Sequence, residues 1–558
     1  MSRPAAAIVI LGTGSLATAR RIQQIYPTSL IYGLAERVAG ADRVYTDFGA
    51  NLRQLYAQGT PIIALCAAGI VIRTLAPLLL EKGAEPPVLA VAEDASAVVP
   101  LLGGLSGVND LAREIAAGLG IAPAITTSGE LRFGTCLLNP PRGYVLGDVA
   151  LGKRFVSDLL AGESVRIEGD APWLDSAQLP EHRDARLAIH VGSEAREPVA
   201  DELRIYPRNV LVKINAVVSA QTVGDVLREA KVAWQSLACV VAAEPLMADI
   251  QLREVATELG VPLRFATDDD DFAEQSVAWS EPVNAVTVGV APVPLVIERL
   301  GRARGRLAVI GLGPGAAELM VPAVKAELER ANDVLGYETY VRMAGPFRND
   351  QVLHCTDNRE EMQRARHAFE LATQGRSVVV VSSGDPGVFA MAAAVLEALH
   401  ESKNPLWHSV DLEILPGVSA SLATAAQAGA PLGHDFCVMS LSDNLKPWAI
   451  IEKRLDLAAE ADLALAFYNP ISRSRPWQLG VALDIVARHR TPQTPVVLGR
   501  DIGRPGQTLR VTTLGALTPD QVDMRTMVII GSSTTCTFPR VDGREWVYTP
   551  RWYGQKPE

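Results

Sequence analysis

Glycine- and proline-rich segments with single polar residues recur in the second half of the chain. They are residues 311–315 (GLGPG), 383–389 (SGDPGVF), 415–420 (LPGVSA), 439–443 (MSLSD) and 467–470 (FYNP). Four of them follow or end apolar runs that we predict to be buried strands, and open α/β sheets bind ligands at the carboxyl ends of strands. Glycine lets a ligand approach the backbone closely, and Asp385 adds a carboxylate that accepts hydrogen bonds. The pattern therefore predicts a binding site built from strand-end loops.

A further glycine segment lies at the start of the chain. Residues 12–17 (GTGSLA) follow a predicted strand and open a predicted helix, and Glu36 comes about 20 residues later. Such a turn places a pyrophosphate at a helix N-terminus in dinucleotide-binding proteins, which would make the chain an NADP-linked reductase. It is equally a tight turn between a strand and a helix, and no catalytic set for a reductase accompanies it.

Cysteine and histidine spacing argues against a metal site. The six cysteines are at least 70 residues apart, and none of the eight histidines precedes His182. Structural zinc and iron–sulfur sites use closely spaced ligands, so we expect no metal and a reducing compartment.

Composition narrows the class of protein. The chain has 558 residues, 52 lysines and arginines and 63 acidic residues, a net charge of −11. This charge disfavours a general affinity for nucleic acid or an anionic membrane. The most apolar stretch, at 61–80, carries Arg73 in its middle, so we expect no membrane span and a cytoplasmic protein.

The elements that must position these loops follow from the hydrophobic pattern. Apolar runs alternate with amphipathic stretches, which predicts a multi-domain α/β fold with parallel sheets. The predicted strands of the first third are at 6–11, 29–32, 61–66, 88–91 and 124–127. The predicted parts are an α/β region (1–139), an irregular connecting segment (140–207), a smaller α/β domain (208–297), an arginine-rich linker (298–306) and a two-lobed domain (307–558, lobes 307–416 and 431–558).

The five glycine-rich segments together resemble the S-adenosylmethionine-dependent tetrapyrrole methyltransferases of cobalamin biosynthesis, over about 307–553. The run at 430–475 is most similar to the members that methylate carbon 17 of precorrin-3B and contract its ring, and 336–340 (GYETY) supports the same group. The resemblance implies S-adenosylmethionine as cofactor, a precorrin as substrate and a homodimer formed through this part. By resemblance, the cofactor is held by Pro314, Ser383, Gly384, Asp385, Val388, Ser419, Ala420, Tyr468 and Asn469, although Tyr468 fits a core position equally well.

Ring contraction requires an acid that protonates or polarises a hydroxyl or carbonyl of the macrocycle. Residues near the recognised motifs that could serve are Glu338, Asp443, Lys446 and His434. Because the substrate carries many carboxylates, arginines are also expected at the cleft. The candidates are Arg342, Arg359, Arg473 and Arg475.

The first 300 residues resemble the CbiG family of cobalamin-biosynthesis proteins, on residues 65–73 (LCAAGIVIR), 101–104 (LLGG), 109–112 (NDLA) and 125–127 (ITT). This family is associated with opening a lactone ring on the corrinoid intermediate, and its glycine run usually continues with a histidine where this chain has Leu105. A hydrolysis that relies on that imidazole would lose its proton-transfer group here. Two alternatives remain open: a corrinoid-binding module or degenerate hydrolase beside a methyltransferase of the aerobic route, or an active lactone-opening domain beside a cobalt-precorrin-3 methyltransferase of the anaerobic route.

Overall fold

The computed structural model describes residues 5–79, 85–266, 270–357 and 360–553, without the side chains of Asp270 and Asp271. Within these residues, five larger β-sheets with their helices follow one another along the chain, and the predicted α/β class is confirmed. In this described part, none of the helices is long and apolar enough to cross a membrane.

The first sheet is mainly parallel, as the alternation of strands and helices predicts. Its strands lie in the order Arg43–Tyr45, Leu30–Leu34, Ala7–Ile10, Ile62–Leu65, Val88–Val91 and Val98–Leu102, and the last is antiparallel. Its helices are Leu16–Ile25, Phe48–Ala57, Ala68–Leu75, Val108–Leu119 and Ser128–Phe133. The predicted strand at 124–127 is wrong, because after one backbone hydrogen bond (Ala124 N to Val98 O, 2.8 Å) the chain turns into the helix Ser128–Phe133.

The second sheet occupies the segment that we expected to be irregular. Its strands lie in the order Tyr144–Leu146, Glu202–Pro207, Leu187–Val191 and Val165–Glu168, with helices Val149–Ala161 and Pro172–Asp175. Charged residues alternate along two of these strands and pair two positions apart, as in Arg166–Glu168 (3.0 Å) and Arg204–Glu202 (2.7 Å). Because side chains two apart share one face of a strand, these charges lie together and interrupt the apolar runs that reveal strands in a sequence.

The third sheet is mixed, and the arginine-rich segment after it is bonded on both sides. The strand order is Leu263–Ala266, Leu237–Ala243, Val210–Ile214, Val286–Val290 and Ala278–Trp279, with helices Ala220–Glu229, Ile250–Glu258 and Asp270–Ala273. Arg302 exchanges two backbone hydrogen bonds with Phe265 (both 2.8 Å) and its side chain binds Glu244 and the carbonyl of Thr373. The segment at 298–306 therefore fastens the third sheet to the domain that follows.

Two further sheets form the C-terminal domain. The fourth sheet is parallel, in the order Val352–Thr356, Asp333–Tyr337, Ser377–Ser382, Arg306–Gly311 and Asp411–Leu415; with its helices it is called the first lobe. Its helices are Pro322–Arg330, Glu338–Ala344, Glu361–Thr373, Met391–Glu401 and Pro405–Ser409.

The fifth sheet forms the second lobe. Its strand order is Phe436–Ser440, Ala464–Tyr468, Thr526–Ile530, Pro495–Arg500 and Thr508–Thr513, and its helices are Ala420–Ala428, Trp448–Glu460 and Gln478–Ala487. A small sheet of Gly429–Ala430, Glu545–Tyr548 and Cys536–Pro539 packs beside it. Strands Phe436–Ser440, Ala464–Tyr468 and Pro495–Arg500 all end at one edge, and the loops there contact loops of the first lobe.

Candidate active site between the two lobes

Three glycines pack backbone against backbone where adjacent strands of the first lobe end. A Cβ atom on Gly311 would lie 2.4 Å from Gly384 O, and one on Gly417 would lie 2.2 Å from the same oxygen. Gly384 also has a positive φ of 70° and exchanges two backbone hydrogen bonds with Gly313 (2.8 and 3.1 Å). Only glycine fits here, because any side chain would separate the three loops. The loops predicted from the sequence therefore lie together.

Asp385 ties two of these loops to each other. One carboxylate oxygen accepts a hydrogen bond from Gly387 N (2.8 Å) in its own turn, and the other accepts from Gly417 N (3.1 Å) in the next loop. The neighbouring turn is closed by a backbone hydrogen bond from Val388 N to Asp385 O (3.2 Å). Asp385 thus sets the spacing between the loops as well as offering a carboxylate at their surface.

The helix Ala420–Ala428 starts in the third loop and leads toward the second lobe. Ser419 lies at its N-cap, is buried, and places its hydroxyl 3.1 Å from that of Ser421. Tyr468 meets this helix start from the second lobe: its hydroxyl accepts from Ser421 N (3.1 Å) and donates to Ser421 Oγ (3.2 Å). Tyr468 therefore fixes the start of this helix against the strand Ala464–Tyr468 by hydrogen bonds, rather than only filling the core.

Asn469 directly follows Tyr468 in a left-handed conformation, with φ of 50°. Its amide donates to Ser440 Oγ (3.0 Å) at the end of the adjacent strand, which leaves its carbonyl oxygen for another donor. Left-handed conformations are uncommon for residues other than glycine, and asparagine tolerates them better than most. The two segments predicted at 439–443 and 467–470 therefore meet at one edge.

Arg504 is a residue of this site that sequence reasoning missed. It lies in the loop after Pro495–Arg500, and its guanidinium donates to Pro314 O (2.9 Å) and Ser383 Oγ (3.1 Å) of the first lobe. Pro314 packs against Gly503 of the same loop. The signal that could have found it is the run at 501–506 (DIGRPG), a further glycine–proline loop at a strand end.

Three of the four predicted acid–base residues follow strands that end at the site, and the fourth does not. Glu338 is exposed and paired with Arg342 in the first turn of its helix, after Asp333–Tyr337. Asp443 accepts a hydrogen bond from Gln478 Nε2 (3.2 Å) in the loop after Phe436–Ser440, and Lys446 lies in the same loop. His434 is not brought to the site. It precedes the strand Phe436–Ser440 and so lies at the opposite edge of the sheet. The length of that strand, roughly 13 Å, separates His434 from the site, and its ring contacts Tyr553.

Lys446 lines a cavity of about 500 Å³ beside the site. The cavity lies between the edge strand Phe436–Ser440 and the helix Trp448–Glu460, and Phe389 of the first lobe closes one side. Lys446 Nζ lies 5.8 Å from the centre of the Phe389 ring, which in turn contacts Tyr468 (5.4 Å between centres). Burial and the neighbouring Arg454 lower the pKa of Lys446 below its ordinary value. A lysine of lowered pKa is better matched to proton transfer near neutral pH than an exposed one.

The predicted arginines also differ from one another. Arg475 is buried, Arg473 is exposed two residues earlier in the same loop, and Arg342 is exposed and paired with Glu338. Arg359 lies outside the described residues. Among the residues that the structure describes, no three histidine, cysteine, aspartate or glutamate side chains are grouped as metal ligands would be.

Comparison with known proteins assigns both parts of the chain. A family model described as Tetrapyrrole (Corrin/Porphyrin) Methylases matches residues 306–518. A precorrin-3B C(17)-methyltransferase of a Sinorhizobium species is 50% identical over 250 residues, which is 45% of this chain and 97% of that relative. The chain belongs to the tetrapyrrole methylase family. This confirms the resemblance seen in the five glycine-rich segments.

Two further similarities concern the methylase part. A probable cobalt-factor III C(17)-methyltransferase of Salmonella typhimurium is 41% identical over 247 residues, 44% of this chain and 99% of that relative. The solved structure of the methyltransferase CobJ is 50% identical, covers 44% of this chain and 100% of its own, and superposes with a TM-score of 0.42. The N-terminal part of this tetrapyrrole methylase matches a second model, Cobalamin synthesis G N-terminal, at residues 50–130.

In the N-terminal part, the glycine segment at 12–17 forms a turn before the helix Leu16–Ile25. Ser15 is fully buried and donates to Glu93 Oε1 (2.8 Å), and Thr18 donates to Glu93 O (2.6 Å). The start of this helix is thus bonded to the loop after Val88–Val91. The contacts favour the tight-turn interpretation over a dinucleotide site.

Proposed function

We propose that this methylase transfers a methyl group from S-adenosylmethionine to carbon 17 of precorrin-3B and contracts the ring to give precorrin-4. The observation that carries the proposal is the meeting of strand-end loops from two lobes around Gly384 and Asp385, in a part of the chain that matches a precorrin-3B C(17)-methyltransferase over 97% of that relative's length. Methyl transfer to carbon requires donor and acceptor to be aligned away from water, and alignment alone contributes roughly 7–11 kcal/mol. A cleft between two lobes suits this task.

The residues around the glycines fit the cofactor. S-adenosylmethionine supplies an activated methyl group when bound, and its adenine, ribose and amino-acid parts need hydrogen-bond partners. Ser383 offers a hydroxyl proton, Asn469 an amide oxygen and Asp385 carboxylate oxygens, around backbone that carries no side chains. We assign the binding of S-adenosylmethionine to these three residues together with Pro314, Gly384, Val388, Ser419, Ala420 and Tyr468. Arg504 holds Pro314 and Ser383 in place.

Lys446 is the residue we propose as the acid for ring contraction. It combines a place beside the cleft, a cavity wall shared with Phe389 and a lowered pKa. Asp443 is committed to Gln478 and Glu338 to Arg342, and His434 lies at the opposite edge. Protonated Lys446 donates a proton to, or polarises, an oxygen of the macrocycle.

For the N-terminal part, we propose a corrinoid-binding role without efficient hydrolysis. Leu105 occupies the exposed turn before the helix Val108–Leu119 and offers no group that transfers a proton. The first turn of that helix retains polar side chains: Asn109 Nδ2 donates to Glu130 Oε1 (2.6 Å), and Asp110 pairs with Arg113 (2.9 Å). Such a cluster suits recognition of a polar macrocycle.

The test is incubation of the full chain with S-adenosylmethionine and either metal-free precorrin-3B or its cobalt-containing counterpart, followed by mass analysis and location of the new methyl group. We expect one added methyl at carbon 17 and a contracted ring from the metal-free substrate. Methylation at another carbon would contradict the assignment. Turnover of only the cobalt form would instead support the anaerobic alternative. Size-exclusion chromatography of the same preparation tests the predicted homodimer.

A further inference from the structure

Arg475 is a buried cation with almost no partners. It lies in the loop after Ala464–Tyr468 and is only 7% exposed. Its Nε and Nη1 atoms are buried without a hydrogen-bond partner, and Nη2 makes only a long contact with Met524 Sδ (3.9 Å). Among the described residues, no carboxylate is paired with its guanidinium.

Other buried arginines of the same lobes are satisfied. Arg490, also 7% exposed, donates to Ala459 O (2.6 Å) and Leu463 O (3.1 Å) and pairs with Asp462 (3.1 Å). Arg364, 3% exposed, donates to Thr356 Oγ1 and Asp357 O (both 2.7 Å). Burying a charge without partners is costly, and a guanidinium does not lose its proton to avoid the cost. Arg475 therefore differs from its neighbours in lacking a counter-charge that this chain itself could provide.

The loop that carries Arg475 starts at the edge of the sheet where the cleft lies. Its loop begins at Asn469, which bonds Ser440 at the end of the adjacent strand. Gln478, three residues after Arg475, is 2% exposed. Its amide nitrogen donates to Asp443, but its side-chain carbonyl oxygen has no hydrogen-bond partner. The buried indole nitrogen of Trp448, whose ring contacts Trp477 (4.9 Å between centres), is likewise unpartnered. Unpaired polar atoms are rare in folded proteins, and here one set lies on the loop of Arg475 and at the starts of the two helices that follow the site loops.

The loop itself is bonded mainly across its own turn. Ser472 and Arg475 exchange two backbone hydrogen bonds (3.0 and 3.2 Å), which closes a small turn at 472–475. A turn closed in this way can shift as a unit without breaking a sheet. Contact between this buried guanidinium and a ligand in the cleft requires such a shift.

We infer that Arg475 is a substrate-recognition residue that binds a peripheral carboxylate of the acidic macrocycle. The inference rests on the proposed function and names the group that recognises one of the substrate's acidic side chains. A guanidinium pairs with a carboxylate through two parallel hydrogen bonds, which fixes orientation as well as adding affinity. Binding would supply the counter-charge that the chain lacks.

The experiment compares the full chain with Arg475→Gln, Arg475→Lys and the matched control Arg488→Gln, an exposed arginine at the far end of the helix Gln478–Ala487. The readouts are the KM for precorrin-3B, the KM for S-adenosylmethionine, and the Kd of S-adenosylhomocysteine by calorimetry. We expect Arg475→Gln to raise the precorrin KM about tenfold or more and to leave the cofactor constants within about twofold. The precorrin KM of Arg475→Lys should lie between those of the parent chain and Arg475→Gln, and Arg488→Gln should match the parent chain.

Two results would overturn the inference. One is an unchanged precorrin KM in Arg475→Gln, and the other is an equal loss of S-adenosylhomocysteine binding, which would assign Arg475 to the fold of the site. Loss of folding in Arg475→Gln would also contradict the inference, because replacing a buried charge that has no partner should not destabilise the fold. Failure of the proposed function is distinguishable, because the parent chain would then not methylate precorrin-3B at all.

Discussion

Lys446 shows how position changes the chemistry of one side chain. It follows the edge strand Phe436–Ser440, so its stem lies along the cavity wall while its ammonium group faces the ring of Phe389. An aromatic face tolerates a cation but solvates it less well than water, and the nearby Arg454 adds repulsion. Both burial and repulsion favour the neutral amine. The group therefore releases its proton more readily than an exposed lysine.

The expected consequence is an alkaline limit on turnover. The acid is active when protonated, so kcat should fall as pH rises through the lowered pKa of Lys446, at a lower pH than an exposed lysine would give. Lys446→Gln should reduce kcat by about 10²-fold or more and remove this alkaline limb. Lys453→Gln, on the exposed face of the adjacent helix, is the matched control and should keep the parent profile. A Lys446→Gln profile with the same limb would exclude Lys446 as the acid.

At the scale of elements, the site depends on how closely three strand ends approach. Arg306–Gly311 lies between Ser377–Ser382 and the edge strand Asp411–Leu415, and the first two of these strands are buried by their apolar residues. The loops that follow touch through Gly311, Gly384 and Gly417. Because the atoms in contact are backbone atoms, they cannot rotate out of the way as a side chain would. The spacing of the strands thus determines the shape of the proposed cofactor site.

Gly417→Ala tests this close approach. The added Cβ would lie 2.2 Å from Gly384 O and 2.6 Å from Gly311 O, so the loops must separate and the hydrogen bond from Gly417 N to Asp385 must lengthen. We expect the free energy of unfolding to fall by about 1–3 kcal/mol and the affinity for S-adenosylhomocysteine to fall about tenfold or more. Thermal unfolding and calorimetry measure the two effects.

The control is Gly480→Ala in the helix Gln478–Ala487. Its Cβ would meet only Pro519, at an ordinary contact distance of 3.9 Å. Alanine is favoured over glycine within a helix, so this variant should keep or slightly gain stability. Full cofactor affinity in Gly417→Ala would show that the glycine contact is dispensable.

At the scale of the whole molecule, the two functional parts are fastened together. Arg302 bonds the third sheet through Phe265 and Glu244, and the first lobe through Thr373. Arg253, in the helix Ile250–Glu258 beside the third sheet, also places its guanidinium 3.4 Å from the carboxylate of Asp411 in the fourth sheet. The proposed corrinoid-binding part and the methylase part are therefore joined by side-chain and backbone contacts as well as by the chain itself.

The N-terminal role can be tested in the full chain with a lactone-bearing corrinoid. We expect the parent chain to bind it, seen as a change in tryptophan fluorescence, without releasing acetaldehyde or opening the lactone. Leu105→His introduces an imidazole into the exposed turn before the helix Val108–Leu119, and this variant should open the lactone faster than the parent. Methyl transfer should be equal in both chains and serves as the internal control. If the parent chain opens the lactone as fast as Leu105→His does, a base other than an imidazole at position 105 must act.

Much of this protein follows from local sequence pattern. Unbroken apolar runs predicted strands at 61–66 and 88–91, which form as Ile62–Leu65 and Val88–Val91, because burial on both faces of a parallel sheet requires such runs. Glycines and single polar residues after strands predicted the loops that contain Gly384, Asp385 and Asn469. The resemblance of these loops to one family added the cofactor and the reaction.

Only the tertiary structure decided which distant residues meet. Arg504 lies 121 and 190 positions from Ser383 and Pro314, and no local pattern records such a contact. His434 and Asp443 are near neighbours in sequence, yet a strand between them places them at opposite edges of one sheet. The sequence also does not show that the guanidinium of Arg475 lacks hydrogen-bond partners, because this depends on all the residues that pack around it. Local pattern determines elements and their ends, whereas packing determines which side chains share a site.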